Sequence, residues 1–247
     1  MNKYSIDRLN LYWFSEDKKD LTRIIKNAQK KFKHNSEAIK ISHSLSQTSK
    51  MPCCSYNLSA STCNVGGKIK MINKRKQELG LPIDNNYGCD KCYCDDRGNY
   101  TYPSVKLAME KRFNSLLNTD WVEAMVRLIE WRRTEHKETY FRWHDSGDLQ
   151  GIWHLKNIIA VVSCTPLVQH WIPTLESGIL SGYLKYVNKA LDIPLEDIKF
   201  DKIENVCIRL STPIINAMPL DTFTDKLGTN NSRIEGSDRV IAHEMKV

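Results

Sequence analysis

Three short apolar segments, each closing on polar residues and spaced by a helix-length stretch, constrain the fold of this chain most. They are TYFRWHDSGD (139–148), VQHWIPTLE (168–176) and NVCIRLST (205–212). The stretches between them, 149–162 and 179–191, carry apolar residues at helical spacing. Strand, helix, strand, helix, strand reads as parallel β/α units, because parallel neighbours need a crossover connection. Ligands of such folds bind beyond the carboxyl ends of the strands. The expected functional rim is therefore Asp145-Ser146-Gly147-Asp148, Thr174-Leu175-Glu176 and Arg209-Leu210-Ser211-Thr212.

Upstream, residues 16–34 place Leu21, Ile24, Ile25, Ala28 and Phe32 on one helical stripe. Residues 35–62, rich in Ser and Asn, predict loop and short extended structure. The stretch 64–88 carries Gly66-Gly67, the basic run KIKMINKRK and a turn signal at Pro82–Asn86. Helices are expected over 103–117, opened by Pro103, and over 119–135. We expect one domain: a basic helical N-terminal extension (1–48), a body (49–220) and a polar tail (221–247).

The chain has 247 residues, 41% apolar and 26% charged, enough to bury a sizeable core. No apolar run is long enough to span a membrane, and MNKYSIDRLNLYWF lacks a secretory pattern, so the expected location is the cytoplasm. The net charge of +7 is uneven, with 16 Lys/Arg against 6 Asp/Glu in residues 1–80. A basic N-terminal third fits a nucleic acid or another polyanion, or simply a solvated helix face.

Six of eight cysteines cluster: Cys53, Cys54, Cys63, Cys89, Cys92 and Cys94. Clustered thiols in a reducing compartment point to metal or redox chemistry. The C-x2-C step Cys89/Cys92 lets two thiolates reach one metal or cluster from a single turn. Zinc takes four closed ligands, for example Cys53 or Cys54 with Cys63, Cys89 and Cys92. An iron–sulfur cube accepts three and leaves one iron open; reduced thiols without metal are the third reading. Cys164 and Cys207, in IIAVVSC and NVCIRL, read as core residues.

Arg142, His144, Asp145, Ser146 and Asp148 crowd one strand end. Asp148 suits a ligand amine or hydroxyl, and His144 suits an acid, base or ligand role. The other reading is a hydrogen-bonded turn, with Gly147 at positive φ and Asp145 in an Asx-turn. Glu176 facing an ammonium, with Arg209 and Ser211 facing a carboxylate, fits an amino-acid-like ligand. An internal Glu–Arg pair fits equally. His154 and His170 read as packing residues.

The blocks SKMPCCSYNLSASTCNVGGK (49–68), GCDKCY (88–93), YPSVKLAMEKRF (102–113), WVEAMVRLI (121–129), YFRWHDSGDLQ (140–150), HWIPTLE (170–176) and IRLS (208–211) resemble the phage gene product eighty-eight family. Its members look like relatives of radical S-adenosylmethionine enzymes. The resemblance implies a partial (β/α) barrel with parallel strands and an iron–sulfur cluster, 4Fe–4S or 3Fe–4S, held by Cys63, Cys89 and Cys92. It implies a redox or enzymatic role, a small molecule at an open iron and a redox partner. His144, Asp145, Ser146 and Asp148 would then be catalytic, and Glu176, Arg209 and Ser211 would bind S-adenosylmethionine or a similar cofactor. The contiguous C-x3-C-x2-C loop of most radical S-adenosylmethionine enzymes is absent. The competing expectation is a zinc-containing phage nucleic-acid-binding protein without catalysis.

Overall fold

The structure is a computed structural model and describes residues 18–47, 52–83, 87–92, 94, 98–212 and 221–232. The N-terminal segment compared with a secretory leader, part of the Pro82–Asn86 turn and the tail beyond 232 lie outside the described residues.

A mixed α/β body is built on one six-stranded sheet, in the order β1-β2-β3-β4-β5-β6. The strands are β1 (Ser46–Gln47), β2 (Cys54–Tyr56), β3 (Tyr140–Trp143), β4 (Gln169–Thr174), β5 (Val206–Ser211) and β6 (Asn230–Ser232). β1 runs antiparallel to β2, and every later pair is parallel. The helices are α1 (Lys18–Lys31), α2 (Asn35–Ser42), α3 (Asn64–Glu78), α4 (Pro103–Ser115), α5 (Trp121–His136), α6 (Ile152–Cys164), α7 (Ser177–Leu191) and α8 (Asp221–Leu227).

The strand–helix alternation read from 139 onward appears as β3-α6-β4-α7-β5, with boundaries shifted by a few residues. The strand order never reverses. With right-handed crossovers, such an order places the connecting helices on one face. Burial follows suit: Phe141 and Trp143 of β3, His170, Ile172 and Thr174 of β4, and Ile208 and Leu210 of β5 are buried. They share a core with Trp121, Met125, Leu155, Ile159, Leu180 and Leu184 from the helices. Arg142, Trp171, Pro173, Cys207, Arg209 and Ser211 alternate with them onto the other face and are half-buried. There the Arg142 guanidinium lies 4.5 Å above the Trp171 ring. Cys207 is thus not a core residue like buried Cys164, and its Sγ accepts from Asn230 Nδ2 at 3.2 Å.

Residues 64–78, for which the sequence gives no element, form helix α3 despite Gly66-Gly67, which cost helix stability when judged by propensity alone. Two expectations change. Residues 35–42 form α2, whose Ala38 packs with Phe32, Ala124 and Leu128. Within the stretch read as polar tail, α8 and β6 add a parallel strand beside β5. A closed barrel is not seen, since β1 and β6 are edges of the described sheet.

Buried polar groups tie the helices to the sheet. Asn205 Nδ2 donates to the carbonyls of Val162, Thr165 and Val168 at 3.0–3.2 Å, satisfying backbone oxygens where α6 ends. His170 Nδ1 accepts from Trp143 Nε1 at 3.2 Å, and its Nε2 pairs with Thr165 Oγ1 at 2.8 Å. These bonds fit the neutral ring protonated at Nε2.

Candidate metal centre

The rim forms where β2 and β3 end. His144 N donates to Tyr56 O at 3.1 Å, and Leu58 N donates to Ser146 O at 2.9 Å, so the ladder continues past both strands. His144 turns the chain with φ +57°, a strained value for a residue carrying Cβ. Gly147 follows at φ +81°, where a Cβ would sit 2.6 Å from Leu58 Cβ and 3.0 Å from its backbone. Only glycine meets both demands.

Beyond Leu58, a 3₁₀ turn (Ala60–Thr62) delivers Cys63 to the N-cap of α3. The first turn of α3 is clamped to the rim. Glu176 Oε1 accepts from Val65 N at 2.8 Å, and Asn64 Nδ2 donates to Leu149 O at 3.1 Å. A buried carboxylate on the first orphan amides of a helix is favourable electrostatically. Glu176, expected to face a ligand ammonium, thus holds the helix that carries Cys63.

Asp148 latches β3 to β4. Its Oδ1 accepts from Thr174 Oγ1 at 2.6 Å and Leu149 N at 2.7 Å, and its Oδ2 from Leu175 N at 2.9 Å. Burial pushes its pKa up to about 7, with Glu176 adding to the rise and the three hydrogen bonds opposing it. The three donors favour the ionised carboxylate, and burial, the larger influence, favours the neutral acid.

Asp145 anchors the second cysteine segment. Tyr100 OH donates to Asp145 Oδ2 at 2.6 Å, Arg142 Nη1 lies 3.2 Å from Oδ1, and Cys94 Sγ lies 3.8 Å from the Asp145 carbonyl. Asn57 Oδ1 accepts from Asp145 N at 3.0 Å. That segment carries a 3₁₀ turn (Gly88–Lys91) holding Cys89, with Cys92 N donating to Cys89 O at 3.3 Å.

Gly66 marks where the two cysteine segments meet. A Cβ there would lie 3.2 Å from Cys89 Sγ and 3.4 Å from Cys63 Cβ. Cys63 also feels the charges of Cys89 and Cys92; burial, then Asp148 and those two thiols, raise its pKa, and Lys70 opposes them. Cys92 is lowered to about 6, chiefly by its hydrogen bond with Cys94, with Lys70 contributing and burial opposing. Cys94, which lies outside the three-cysteine set that the resemblance implies, joins this group. Cys53 and Cys54 do not: they open β2 at the other end of the sheet, where Cys54 N donates to Glu138 Oε2 at 3.3 Å and Glu138 pairs with Arg132.

All eight cysteines stand as thiols. Among the described residues, no group of three or more His, Cys, Asp or Glu side chains is drawn together as a single-ion site.

Beside the latch sit buried groups without protein partners: both ring nitrogens of His144, Nε2 of His154 and Oγ of Ser146. The two imidazoles meet edge to face at 5.4 Å. His154 Nδ1 accepts from Gln150 N at 3.2 Å, which leaves the Nε2 proton directed away from that bond. His154, which reads from the sequence as a packing or surface residue, is fully buried in the first turn of α6, and nothing local in the sequence signals its pairing with His144. Arg209 and Ser211 lie on the half-buried face with Arg142 and Trp171, apart from Glu176, which is buried against α3.

Burial lowers the pKa of His144 and His170 from 6.5 to about 3, and carries His154 well below the same value. Each folded pKa lies below its unfolded value, so the stabilisation is complete above about pH 6.5 and is lost as pH falls towards 3. Each imidazole can withdraw a few kcal/mol over that window. Urea unfolding at pH 7.5, 6, 5 and 4 should show stability falling throughout, with up to about three protons taken up on unfolding.

These features define an α/β protein with a thiol-lined rim at the carboxyl ends of its parallel strands. The sequence model of gene product 88 matches residues 14–211, and the chain belongs to this phage gene-product family. No curated protein matches the chain, and no solved structure does. No helix among the described residues is long and apolar enough to cross a membrane.

Proposed function

We propose that this chain is an iron–sulfur protein with a redox or enzymatic role, built as a partial (β/α) barrel. Cys63, Cys89 and Cys92 hold the cluster, and a small molecule binds on its open side. The supporting observation is the meeting of Cys63 and Cys89 across Gly66, with Cys92 in electrostatic reach. The strictly sequential parallel strands favour a barrel wall over a doubly wound sheet, whose strand order reverses.

The donor set fits the group: thiolates are the usual ligands of iron–sulfur clusters. Such a cluster, when bound, supplies one-electron chemistry and a Lewis-acidic iron. The chain does the rest. Glu176 and Leu149 fix the helix that presents Cys63. Asp145 and Tyr100 fix the segment that presents Cys89 and Cys92. Asp148 and Thr174 hold β3 and β4 in register at the rim. His144, His154 and Ser146 keep polar atoms for a ligand beside it. Lys70 counters the accumulated thiolate charge.

Adjacent glycines supply one check. Gly66→Ala should disturb Cys89 and Cys63 and lower cluster occupancy, whereas Gly67, with nothing within 4 Å of its Cβ position, should accept alanine and gain about 0.5–1 kcal/mol. Iron content and urea unfolding of both variants read this out; equal iron content in the two would count against the packing argument.

The functional test is electron paramagnetic resonance of the anaerobically reduced protein, with and without S-adenosylmethionine. A cluster signal that changes on addition supports an open iron in contact with that cofactor. An unchanged signal leaves an electron-transfer cluster without it, and no cluster signal at all ends the proposal. Stoichiometric zinc with salt-dependent DNA binding would install the nucleic-acid reading in its place.

A further inference from the structure

Helix α3 is turned inside out. Its buried residues are Gly66 and Asn73, while Met71 is 64% and Ile72 53% exposed. Lys68, Ile72, Arg75 and Leu79 succeed one another at steps of four, three and four, so they stand in one line on the outward face. Leu79 is 57% exposed, and Leu81 and Ile83 prolong the apolar strip beyond the helix. Lys68 and Arg75 stand within that line, between the apolar residues, Lys74 lies to one side, and Arg75 is paired with Glu78 at 3.0 Å. The helix packs mainly on the two 3₁₀ turns beside the cysteines.

We propose that this outward face docks an acidic one-electron carrier protein. The inference rests on the iron–sulfur reading of the same site. Exposed Met and aliphatic side chains interleaved with basic ones give a protein partner apolar surface to cover and charges that steer the encounter. α3 carries five Lys/Arg against one Glu, so the complementary partner is acidic. Nucleic acid would use the lysines but leave Met71, Ile72 and Leu79 in water. The position also suits electron delivery. α3 begins at Cys63, and Ile72 lies about 14 Å further along the axis at ~1.5 Å per residue. A carrier seated on Met71 and Ile72 is brought beside the thiols without covering the rim at His144 and Ser146.

The test measures binding of an acidic flavodoxin and of an acidic 2Fe–2S ferredoxin to the full chain, both metal-loaded and metal-free, at low and high salt. Either carrier should bind the wild type, with affinity falling as salt rises. Met71→Ser with Ile72→Ser, and separately Lys68→Glu with Lys74→Glu, should each weaken binding at least ~10-fold, with iron content unchanged. The charge-reversed chain should also lose its salt dependence. Binding of neither carrier to the wild type overturns the proposal, as does equal binding by both variants. So does transfer of the same mutational sensitivity to an oligonucleotide, to anionic vesicles or to self-association. A chain without iron that still binds a carrier through these residues would reject the cluster and keep the docking face.

Discussion

If Cys63 holds the proposed cluster, Cys63→Ser will strip the iron while leaving the fold standing. Cys63 is the N-cap of α3, and serine is among the best N-cap residues, so the helix keeps or improves its start. The bonds that Val65 N donates to the Glu176 carboxylate and Gly67 N donates to Cys63 O do not involve the thiol. Unfolding of the metal-free variant should therefore stay within about 1 kcal/mol of the metal-free wild type. Iron and acid-labile sulfide after anaerobic reconstitution should fall at least ~10-fold, because losing a ligand costs more than losing its supporting hydrogen bond. Cys54→Ser, at the far end of β2, should retain its iron. If Cys63→Ser keeps full iron while Cys54→Ser loses it, the ligand assignment is wrong.

The second large effect is expected at Gly147. Alanine there places a Cβ 2.6 Å from Leu58 Cβ and against the Leu58 backbone, at φ +81°. The left-handed conformation costs roughly 1–2 kcal/mol for a residue with Cβ. Overpacking against backbone, which cannot step aside, adds about 1–3 kcal/mol. A total of about 2–5 kcal/mol should lower the melting temperature by roughly 4–20 °C in a chain of this size. The lesion also pushes Leu58 away from Ser146 O, on the segment leading to Cys63, so iron retention should drop in parallel. Thermal unfolding and iron analysis on one preparation check both. A variant that melts like the wild type would show that the loop relaxes freely and is not what positions Cys63.

Much of this architecture is legible in the sequence, for physical reasons. β3, β4 and β5 announce themselves because they alternate or run apolar and stop at polar residues, and α6 and α7 because their apolar residues recur at helical spacing. α3 is not legible. Its two glycines weaken the propensity signal, and its large apolar residues face outward, so no inward stripe betrays a helix. β6 is missed because three residues, Asn230, Asn231 and Ser232, carry no strand pattern. At the site, residue types show which groups are chemically able, but not whom they face. Glu176 and Asp148 look alike as candidate ligand acceptors, yet one caps α3 and the other latches two strands. Cys94 and Cys54 look alike as extra thiols, yet one joins Cys92 and the other opens β2. Those distinctions depend on long-range pairing, and local patterns do not encode it.

The measurement that bears most directly on the central claim is iron and acid-labile sulfide per chain after anaerobic reconstitution, for wild type and Cys63→Ser side by side. The wild-type protein should be brown, with about three to four iron and sulfide per chain, and the variant nearly colourless. A colourless wild type with stoichiometric zinc, or with no metal, would contradict it.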